Sequence, residues 1–310
     1  MTTKSNNQFL PKAYMQGKIV SFEDAQVSVA THALHYGTAA FAGMRVYDDP
    51  SQLGHVRLFR PDLHIKRLSQ SAKLLGQEIV PGTIRQAISK FLAANPGAEP
   101  YYMRPLVYAS ALGIAPRLHD VEFDLLIYGV KMGGYLSDKG VSCCFSSWTR
   151  GEDRSLPLRG KISGTYVSSA LAKTEAASRG FDEAVFLNSS GKVAEGSAMN
   201  IFIVKNDTLI TPSITQDILE GITRRSILEI AREQAIKTEE REVDRSELIL
   251  ADEAFLTGTA TQIAPINKFE QYDLPASRPV TSRITNHLNE IIHKKSSVHG
   301  DWMVSFKAGT

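Results

Sequence analysis

Cysteine is almost absent from this chain, which has only Cys143 and Cys144 among its 310 residues. The two are adjacent in a strand-like run, so their side chains should point to opposite faces of a sheet and should not bridge each other. This excludes a disulfide-stabilised scaffold. It indicates a reducing compartment, which we expect to be the cytoplasm.

The chain also lacks a large excess of positive or negative charge, and it lacks long apolar runs. The formal net charge is only +2 and no long basic run occurs, so nucleic-acid binding is not indicated. No apolar stretch is long enough to span a bilayer, and the opening residues MTTKSNNQF lack the apolar core of a signal peptide. We therefore expect neither a nucleic acid nor a membrane as a partner.

Several common catalytic and binding motifs are missing as well. The chain has no GxGxxG and no GxxxxGKS/T, which disfavours dinucleotide-binding and P-loop proteins, and no GxSxG, which disfavours a serine hydrolase. His32 and His35 are three residues apart, but cysteine is too scarce to complete a zinc site with them. We therefore predict that both histidines pack or hydrogen-bond and that no metal is bound.

The composition that remains is typical of a globular protein, with 43% hydrophobic and 22% charged residues in a chain long enough for two domains. Turn residues and apolar patterns predict a hairpin over 13–20 and strands that begin at Tyr101, Phe123 and Val141. Helices are predicted over 62–75, 166–179, 222–234 and near 279–294. A further helix, which ends at 95–97, is predicted to bury Ile84, Ala87, Ile88, Phe91 and Leu92. This mixed order of elements favours an α+β fold over regular βαβ winding.

Five segments carry a family resemblance that composition and periodicity do not reveal. They are HALHYGTAAFAGMRVY from His32, LFRPDLHIKRL from Leu58, RGKISGTYVSSALAKTEA from Arg159, EGSAMNIFIVKNDTLITPSITQDILEGITRR from Glu195 and TGTATQIAP from Thr257. In this order they resemble the class IV pyridoxal 5'-phosphate (PLP) aminotransferases, particularly the branched-chain amino acid aminotransferases. The resemblance spans nearly the whole chain.

The resemblance implies PLP as the cofactor and assigns the residues that act on its ring. PLP needs a lysine for its Schiff base and an acid opposite the pyridine nitrogen. Lys161 matches the family's Schiff-base lysine, which also moves a proton during transamination. Glu195 matches the glutamate that pairs with the pyridine nitrogen, and Tyr166 matches the tyrosine that hydrogen-bonds the phenolic oxygen. Without the resemblance, they would be taken for a surface lysine, a hairpin carboxylate and a helix-face aromatic.

The phosphate group of PLP is assigned to three places in the sequence. Arg60 matches the family's phosphate-binding arginine, and its position before a helix, where a cation opposes the helix dipole, itself indicates a purpose other than stability. Gly221, Ile222 and Thr223 open a helix whose free backbone N–H groups suit a phosphate. Thr259 is expected to add a hydroxyl donor.

The resemblance also implies a substrate pocket. Its expected residues are Tyr36, Phe41, Tyr102, Arg104, Tyr135, Thr259 and Ala260, with Leu112 and Ile114 contributed by a loop of a partner chain. Tyr102 and Arg104 are two apart on a strand and should face the same side. In the family, the tyrosine equivalent to Tyr102 and N–H groups of the Thr259–Ala260 turn hold the substrate carboxylate, and the equivalent of Arg104 admits the second carboxylate of glutamate. Ala42 stands where many members have glutamate, which leaves substrate preference open.

The implied fold is the two-domain α+β fold type IV. It has a small N-terminal α/β domain over 1–132, a connector over 133–140, where the glycines of KMGGY interrupt the pattern, and a larger barrel-like PLP-binding domain over 141–310. The implied function is ping-pong transamination between L-leucine, L-isoleucine or L-valine and 2-oxoglutarate, in a homo-oligomer that is at least a dimer.

Four alternatives to this function remain open. Three share the fold: a D-amino acid aminotransferase, an (R)-selective amine transaminase and 4-amino-4-deoxychorismate lyase. The fourth is a PLP-free dimeric binding scaffold, which the retention of Lys161, Glu195 and Arg60 disfavours.

Overall fold

The structure is a computed structural model that describes residues 8–97, 100–132, 140–293 and 299–309. The chain divides into two compact units. Unit 1 comprises Met1–Gly133, Gly160–Gly164 and Lys295–Thr310, and unit 2 comprises Gly134–Arg159 and Thr165–Lys294. The connector expected over 133–140 lies outside the described residues except for its last one.

Two short segments belong to a different unit from the one in which the sequence analysis placed them. Residues 160–164 and 295–310 lie within the expected C-terminal domain, but both are part of unit 1. The physical reason is strand pairing: the last strand, Met303–Lys307, pairs along its whole length with the strand His55–Phe59. In the same way, Ile162 forms an isolated β-bridge with Ala40.

Unit 1 is built on an antiparallel sheet. Its strands are β1 (Lys12–Met15), β2 (Lys18–Ser21), β3 (Ala39–Phe41), β4 (Met44–Asp48), β5 (His55–Phe59), β6 (Tyr101–Ala109), β7 (Phe123–Lys131) and β17 (Met303–Lys307). They follow the order β17-β5-β4-β6-β7-β1-β2, with β3 paired to β6. The predicted hairpin is confirmed, since Gln16 and Gly17 lie between the paired strands β1 and β2.

Three helices accompany this sheet: α1 (His32–Tyr36), α2 (Pro61–Lys73) and α3 (Pro81–Ala94). Both long helices begin with proline, which suits the first helical position because its missing N–H would have no partner there. Their buried side chains form one core with the sheet, and they are Ile65, Leu68, Ala72, Ile84, Ala87, Ile88, Phe91 and Leu92. The predicted helical faces are therefore confirmed.

Unit 2 is built on a larger, mixed sheet. Its strands are β8 (Val141–Phe145), β9 (Glu183–Leu187), β10 (Val193–Gly196), β11 (Asn200–Lys205), β12 (Thr208–Pro212), β13 (Thr238–Arg241), β14 (Glu253–Gly258), β15 (Gln262–Phe269) and β16 (Tyr272–Asp273). They follow the order β10-β9-β8-β15-β14-β11-β12-β13, with β16 paired to β15. Strand β8 runs parallel to both β9 and β15, so hairpins alone cannot produce this sheet.

Four helices cover the second sheet: α4 (Tyr166–Ser178), α5 (Ile222–Glu233), α6 (Arg245–Ile249) and α7 (Pro279–His293). Helix α4 packs on β9 and β8, while α5 and α7 pack on β14 and on each other. The two cysteines of β8 are free and belong to different hydrophobic clusters, as predicted from their adjacency. Among the described helices, none combines the length and apolar character needed to cross a membrane.

Candidate active site

Lys161 lies in a short segment of unit 1 that runs beside strand β3. The N–H of Phe41 donates a hydrogen bond to the Lys161 carbonyl oxygen (2.9 Å), and the N–H of Lys161 donates to Ser71 Oγ on α2 (3.0 Å). Where the segment ends, a Cβ on Gly37 would come within 2.6 Å of Gly164 Cα, so this close approach requires glycine. The backbone of the predicted reactive lysine is therefore held from both sides.

His64, on the buried side of α2, lies within electrostatic reach of Lys161. Only 1% of its surface is exposed, and its Nδ1 atom has no hydrogen-bond partner among the described residues. Burial, together with the nearby charges of Arg67 and Lys161, holds the pKa of His64 well below its usual range. The imidazole is therefore neutral, so α2 contributes a buried, uncharged ring near the lysine.

Two cations of unit 1 lie beside one aromatic ring. The Nζ atom of Lys161 and the Cζ atom of Arg104 are each 4.8 Å from the centre of the Phe41 ring. Arg104 Nη2 also donates to the hydroxyl of Tyr102 (3.3 Å), which confirms that these two residues of β6 face the same side. Three of the predicted pocket residues thus lie close to the predicted reactive amine.

Arg60 directly follows strand β5 and is the N-cap of α2, as its place in the sequence predicted. Its backbone adopts the left-handed conformation, with φ of 46°, and its guanidinium lies over the ring of Trp302. Strand β5 and the paired strand β17 together fix the position of this arginine.

The loop that was expected to reach a partner chain is anchored to α1 in unit 1. The hydroxyl of Tyr36 donates to the carbonyl oxygen of Ile114. The side chains of Leu112 and Ile114 are strongly exposed, at 67% and 85% of their surfaces. The structure thus brings three predicted pocket residues together at one end of unit 1.

The two histidines of α1 tie down the same region. His32 Nδ1 lies 2.8 Å from Thr38 Oγ1 and its Nε2 lies 3.1 Å from the Ala115 carbonyl oxygen. His35 Nε2 lies 2.8 Å from the Val29 carbonyl oxygen. The prediction that both histidines pack or hydrogen-bond is confirmed.

Glu195, on β10 of unit 2, is nearly fully buried. Arg150 Nη2 lies 2.8 Å from Glu195 Oε1, and the Asn200 side-chain amide donates to Oε2 (2.9 Å). The backbone N–H of Leu219 lies 3.2 Å from Oε2 and 3.3 Å from Oε1. These donors suit an ionised carboxylate, which can only accept hydrogen bonds.

Asn200 connects Glu195 to the start of α5. Its amide also donates to the Leu219 carbonyl oxygen (2.9 Å), and a Cβ on Gly221 would come within 2.0 Å of its Oδ1 atom. Glycine is thus needed at 221 for Asn200 to hold both elements. Since Gly221 has no side chain to cap the helix, the N–H groups at Ile222 and Thr223 remain suited to an anion.

Thr259 and Ala260 form the turn between β14 and β15, where the sequence placed them. Thr257 Oγ1 donates to the Gln262 carbonyl oxygen across the base of this turn (2.6 Å). Tyr166 is the first residue of α4 and is partly buried. Each of these predicted residues therefore lies at the end of an element of unit 2.

Some of these contacts have no counterpart in the sequence analysis. His64 could have been found, because it precedes Leu68 by four residues on the predicted helix and so shares its buried face. Arg150 carried no signal, since a loop arginine shows no periodicity that would reveal its burial. Ala42 packs in the hydrophobic core of unit 1. Tyr135 lies outside the described residues.

Comparison with known proteins gives a consistent result. The family model described as amino-transferase class IV matches residues 39–269. A probable branched-chain-amino-acid aminotransferase from Synechocystis sp. is 52% identical over 297 residues, which are 96% of this chain and 97% of the relative.

Solved structures agree. The branched-chain aminotransferase of Thermoproteus uzoniensis, solved with norvaline, has a TM-score of 0.91 and 34% identity and covers 96% of this chain and 99% of its own. The T.th. branched-chain amino acid aminotransferase, solved with N-(5'-phosphopyridoxyl)-L-glutamate, has a TM-score of 0.88 and 34% identity and covers 95% of this chain and 98% of its own.

The chain therefore belongs to the class IV aminotransferases, and its α+β architecture is that of fold type IV. Its place within this class is among the branched-chain amino acid aminotransferases, which are enzymes, and the cofactor of the class is PLP. The predicted family, fold class, enzyme class and cofactor are confirmed.

The described residues fit PLP. Unit 1 supplies a lysine amine that lies beside an aromatic ring, together with an arginine at a helix start. Unit 2 supplies a buried, fully hydrogen-bonded carboxylate and an uncapped helix N-terminus. This donor set matches the needs of an aldehyde, a pyridine nitrogen and a phosphate.

Proposed function

We propose that this chain moves the amino group of L-leucine, L-isoleucine and L-valine to 2-oxoglutarate by a ping-pong mechanism. The observation that carries this proposal is the position of Lys161 Nζ and Arg104 Cζ, each 4.8 Å from the centre of the Phe41 ring. The ring offers an apolar wall to a branched side chain. The guanidinium offers a cation to the second carboxylate of 2-oxoglutarate.

A ping-pong order follows from the use of one pocket for two acids. Both a branched-chain amino acid and 2-oxoglutarate need the same reactive amine and the same site for the carboxylate next to the reacting carbon. The first product must therefore leave before the second substrate enters. The T.th. structure supports this reading, since its adduct joins the cofactor to glutamate, the amino acid that 2-oxoglutarate becomes.

PLP supplies the carbon that receives the substrate nitrogen and a ring that takes up electrons when the Cα–H bond breaks. Lys161 is the residue that would hold the cofactor covalently, and its amine would then be the group that accepts the proton from the substrate Cα. The Phe41 ring gives this amine an apolar neighbour. Glu195 would be the anionic partner of the pyridine nitrogen, and the Tyr166 hydroxyl would be the hydrogen-bond donor to the phenolic oxygen.

The groups that would hold the phosphate are not those proposed for proton transfer. Arg60 would provide the charge, and the N–H groups at Ile222 and Thr223, at the start of a helix of twelve residues, would provide directed donors. The hydroxyl of Thr259 adds a further donor. The Tyr102 hydroxyl and the Thr259–Ala260 backbone N–H groups are the donors that we propose for the substrate carboxylate.

We also propose that the chain works as a homodimer in the cytoplasm. The two segments that meet at α1 expose large apolar side chains, namely Val29, Leu34, Leu112 and Ile114. Large apolar side chains that are exposed close together in the chain are typical of an interaction site. In the dimer, Leu112 and Ile114 line the pocket of the partner subunit, and size measurement by light scattering of the wild type and of Ile114→Asp tests this assembly.

The catalytic proposal is tested by a panel of amino donors in single half-reactions. The purified holoenzyme is mixed with L-leucine, L-isoleucine, L-valine, D-alanine or (R)-1-phenylethylamine, and loss of the PLP absorbance band is followed. The three L-amino acids should remove the band, and 2-oxoglutarate should restore it. A response only to D-alanine or to the arylamine would replace the proposal with one of the same-fold alternatives. Absence of the band from the purified protein would favour a binding scaffold.

A further inference from the structure

The position of Arg60 is energetically unfavourable for an arginine. Its φ of 46° and ψ of 48° lie in the left-handed region, which residues with a Cβ rarely adopt. It is also the N-cap of α2, where the helix dipole repels a cation and where serine, threonine, aspartate or asparagine would be favoured. A residue that keeps two unfavourable features needs a structural support, and that support can be read from its neighbours.

Trp302 contacts Arg60 in two ways, through its ring and through its backbone. The Arg60 Cζ atom lies 3.5 Å from the centre of the Trp302 ring, which is within the range of a cation–π contact. The backbone N–H of Arg60 donates to the Trp302 carbonyl oxygen (2.6 Å). The same residue thus fixes both the main chain and the side chain of the arginine.

The ring of Trp302 is itself held in place. It is 4% exposed, its edge meets the Phe59 ring at 5.9 Å, and the His299 ring stacks on it at 3.9 Å with an interplanar angle of 27°. Strand β17 continues directly from it and pairs with β5. Trp302 is therefore a rigid platform rather than a mobile cover.

We propose that Trp302 is a positioning residue that aims the guanidinium of Arg60 at the phosphate group of the cofactor. A ring face restricts an arginine to one direction without neutralising its charge, as a carboxylate would, so the cation keeps its attraction for an anion. This inference rests on the phosphate-binding role proposed for Arg60. It gives the C-terminal segment of unit 1 a function in cofactor binding.

The test compares two cofactor forms that differ only in the phosphate. Apoenzyme is titrated with PLP and with pyridoxal, and the dissociation constants are measured by absorbance for wild type, Trp302→Leu, Trp302→Phe, Arg60→Met and the Trp302→Leu/Arg60→Met double variant. Trp302→Leu should weaken PLP binding by about 3- to 30-fold, the range that a cation–π contact supports, and should leave pyridoxal binding within twofold. Trp302→Phe keeps a ring and should recover part of the loss.

The double variant separates positioning from general packing. If Trp302 acts through Arg60, Trp302→Leu should not weaken PLP binding any further in a protein that already carries Arg60→Met. The other tryptophan of the chain, Trp148, is 47% exposed in unit 2, so Trp148→Leu is the matched control and should change neither constant.

Each failure has its own pattern. Equal weakening of PLP and pyridoxal by Trp302→Leu, or undiminished weakening in the Arg60→Met background, would overturn the positioning role. If Arg60→Met leaves the preference for PLP over pyridoxal unchanged, the phosphate role proposed for Arg60 is wrong instead. Should Trp302→Leu not fold, Trp302→Phe decides the matter, since its smaller ring must still lower the affinity for PLP more than that for pyridoxal.

Discussion

Unit 2 holds its central charge by direct pairing. Glu195 meets the guanidinium of Arg150 at 2.8 Å, and their side chains are only 6% and 8% exposed. Asn200 and a backbone N–H complete the set of donors. The carboxylate is thus locked in one place by groups that each satisfy part of its charge.

Unit 1 holds its charges against aromatic rings. Arg60 lies over Trp302, while Arg104 and Lys161 both lie beside Phe41. Several donors around one carboxylate hold that anion in a single position, whereas an aromatic ring favours a cation at its face without adding an opposite charge of its own. Unit 2 therefore presents a fixed anion, and unit 1 presents positive charge suited to phosphate and carboxylate groups. Substitutions in the two units should therefore impair the protein in different ways.

The largest effect is expected from Lys161→Ala in unit 1. No neighbouring group can replace the amine that binds the cofactor and moves the proton, so turnover of L-leucine should fall by about 10²- to 10⁴-fold or more. The borohydride-trappable link to PLP should disappear, although phosphate donors can retain the cofactor. Lys66→Ala, an exposed lysine of α2, is the control and should leave turnover unchanged. Normal turnover in Lys161→Ala would overturn the mechanism.

Glu195→Gln tests the fixed anion of unit 2. The substitution keeps the shape and removes the charge, so the pyridine nitrogen loses its anionic partner and the leucine half-reaction should slow by about 10²- to 10³-fold. Single-turnover absorbance measures this rate. Glu242→Gln, at a side chain that is 61% exposed, is the matched control. An unchanged rate would show that another acid has this role.

Arg150→Met probes the stability of unit 2 rather than its chemistry. It leaves the Glu195 carboxylate buried without its ion partner, which should lower the free energy of unfolding by about 3–5 kcal/mol. Urea unfolding of the apoenzyme measures the loss. Arg225→Met breaks an exposed helical pair with Glu229 and should cost no more than about 1 kcal/mol. Similar losses in both variants would mean that the buried pair contributes little.

The sequence predicted elements well where the signal is local. Ile65, Leu68 and Ala72 recur at helical spacing, and the structure places them together in the core of unit 1. The pairing of β17 with β5 could not be predicted, because partners so distant in sequence share no local pattern. The expected domain limits differ from the two units for the same reason.

For the site, too, some residues could be predicted from the sequence and others could not. Lys161, Glu195 and Arg60 stand in motifs of a known family, so resemblance could assign them before any coordinates. Their supports could not be found in this way: Arg150 lies in an irregular loop, and Trp302 lies near the end of the chain. Contacts that form only on folding connect each of these two with its charged partner.

Arg104→Met tests whether a cation of unit 1 selects the second carboxylate. Methionine keeps the length and removes the charge, so a distal carboxylate would be buried without a partner. The specificity constant for 2-oxoglutarate should fall by about 10- to 100-fold and that for 4-methyl-2-oxopentanoate by much less, each measured against the aminated cofactor. Equal losses would assign Arg104 to general architecture. A loss confined to 4-methyl-2-oxopentanoate would show that the pocket assignment is wrong.

The smallest effects, on the free energy of unfolding, are expected from substituting one carboxyl group in each unit. In unit 2, a hydrogen bond from Arg241, assisted by the N–H of Asp244, lowers the pKa of Glu247. In unit 1, burial raises the pKa of Asp124, and hydrogen bonds from Leu125 and Gln16 only partly offset it. The two groups should therefore affect stability in opposite directions as the pH changes.

Glu247 and Asp124 give a matched pair of amide substitutions. The stability from Glu247 is fully present above its unfolded pKa and is lost as the pH falls through the lower folded pKa, so Glu247→Gln should destabilise the protein at pH 7 by less than about 1 kcal/mol. The contribution of Asp124 is fully present below its unfolded pKa and is lost as the pH rises through the higher folded pKa. Asp124→Asn should therefore be neutral or stabilising at pH 7. Urea midpoints at pH 7 and pH 4 measure both, and a clear loss from Asp124→Asn at pH 7 would contradict the contrast, because it would show that unit 1 also relies on an ionised carboxylate.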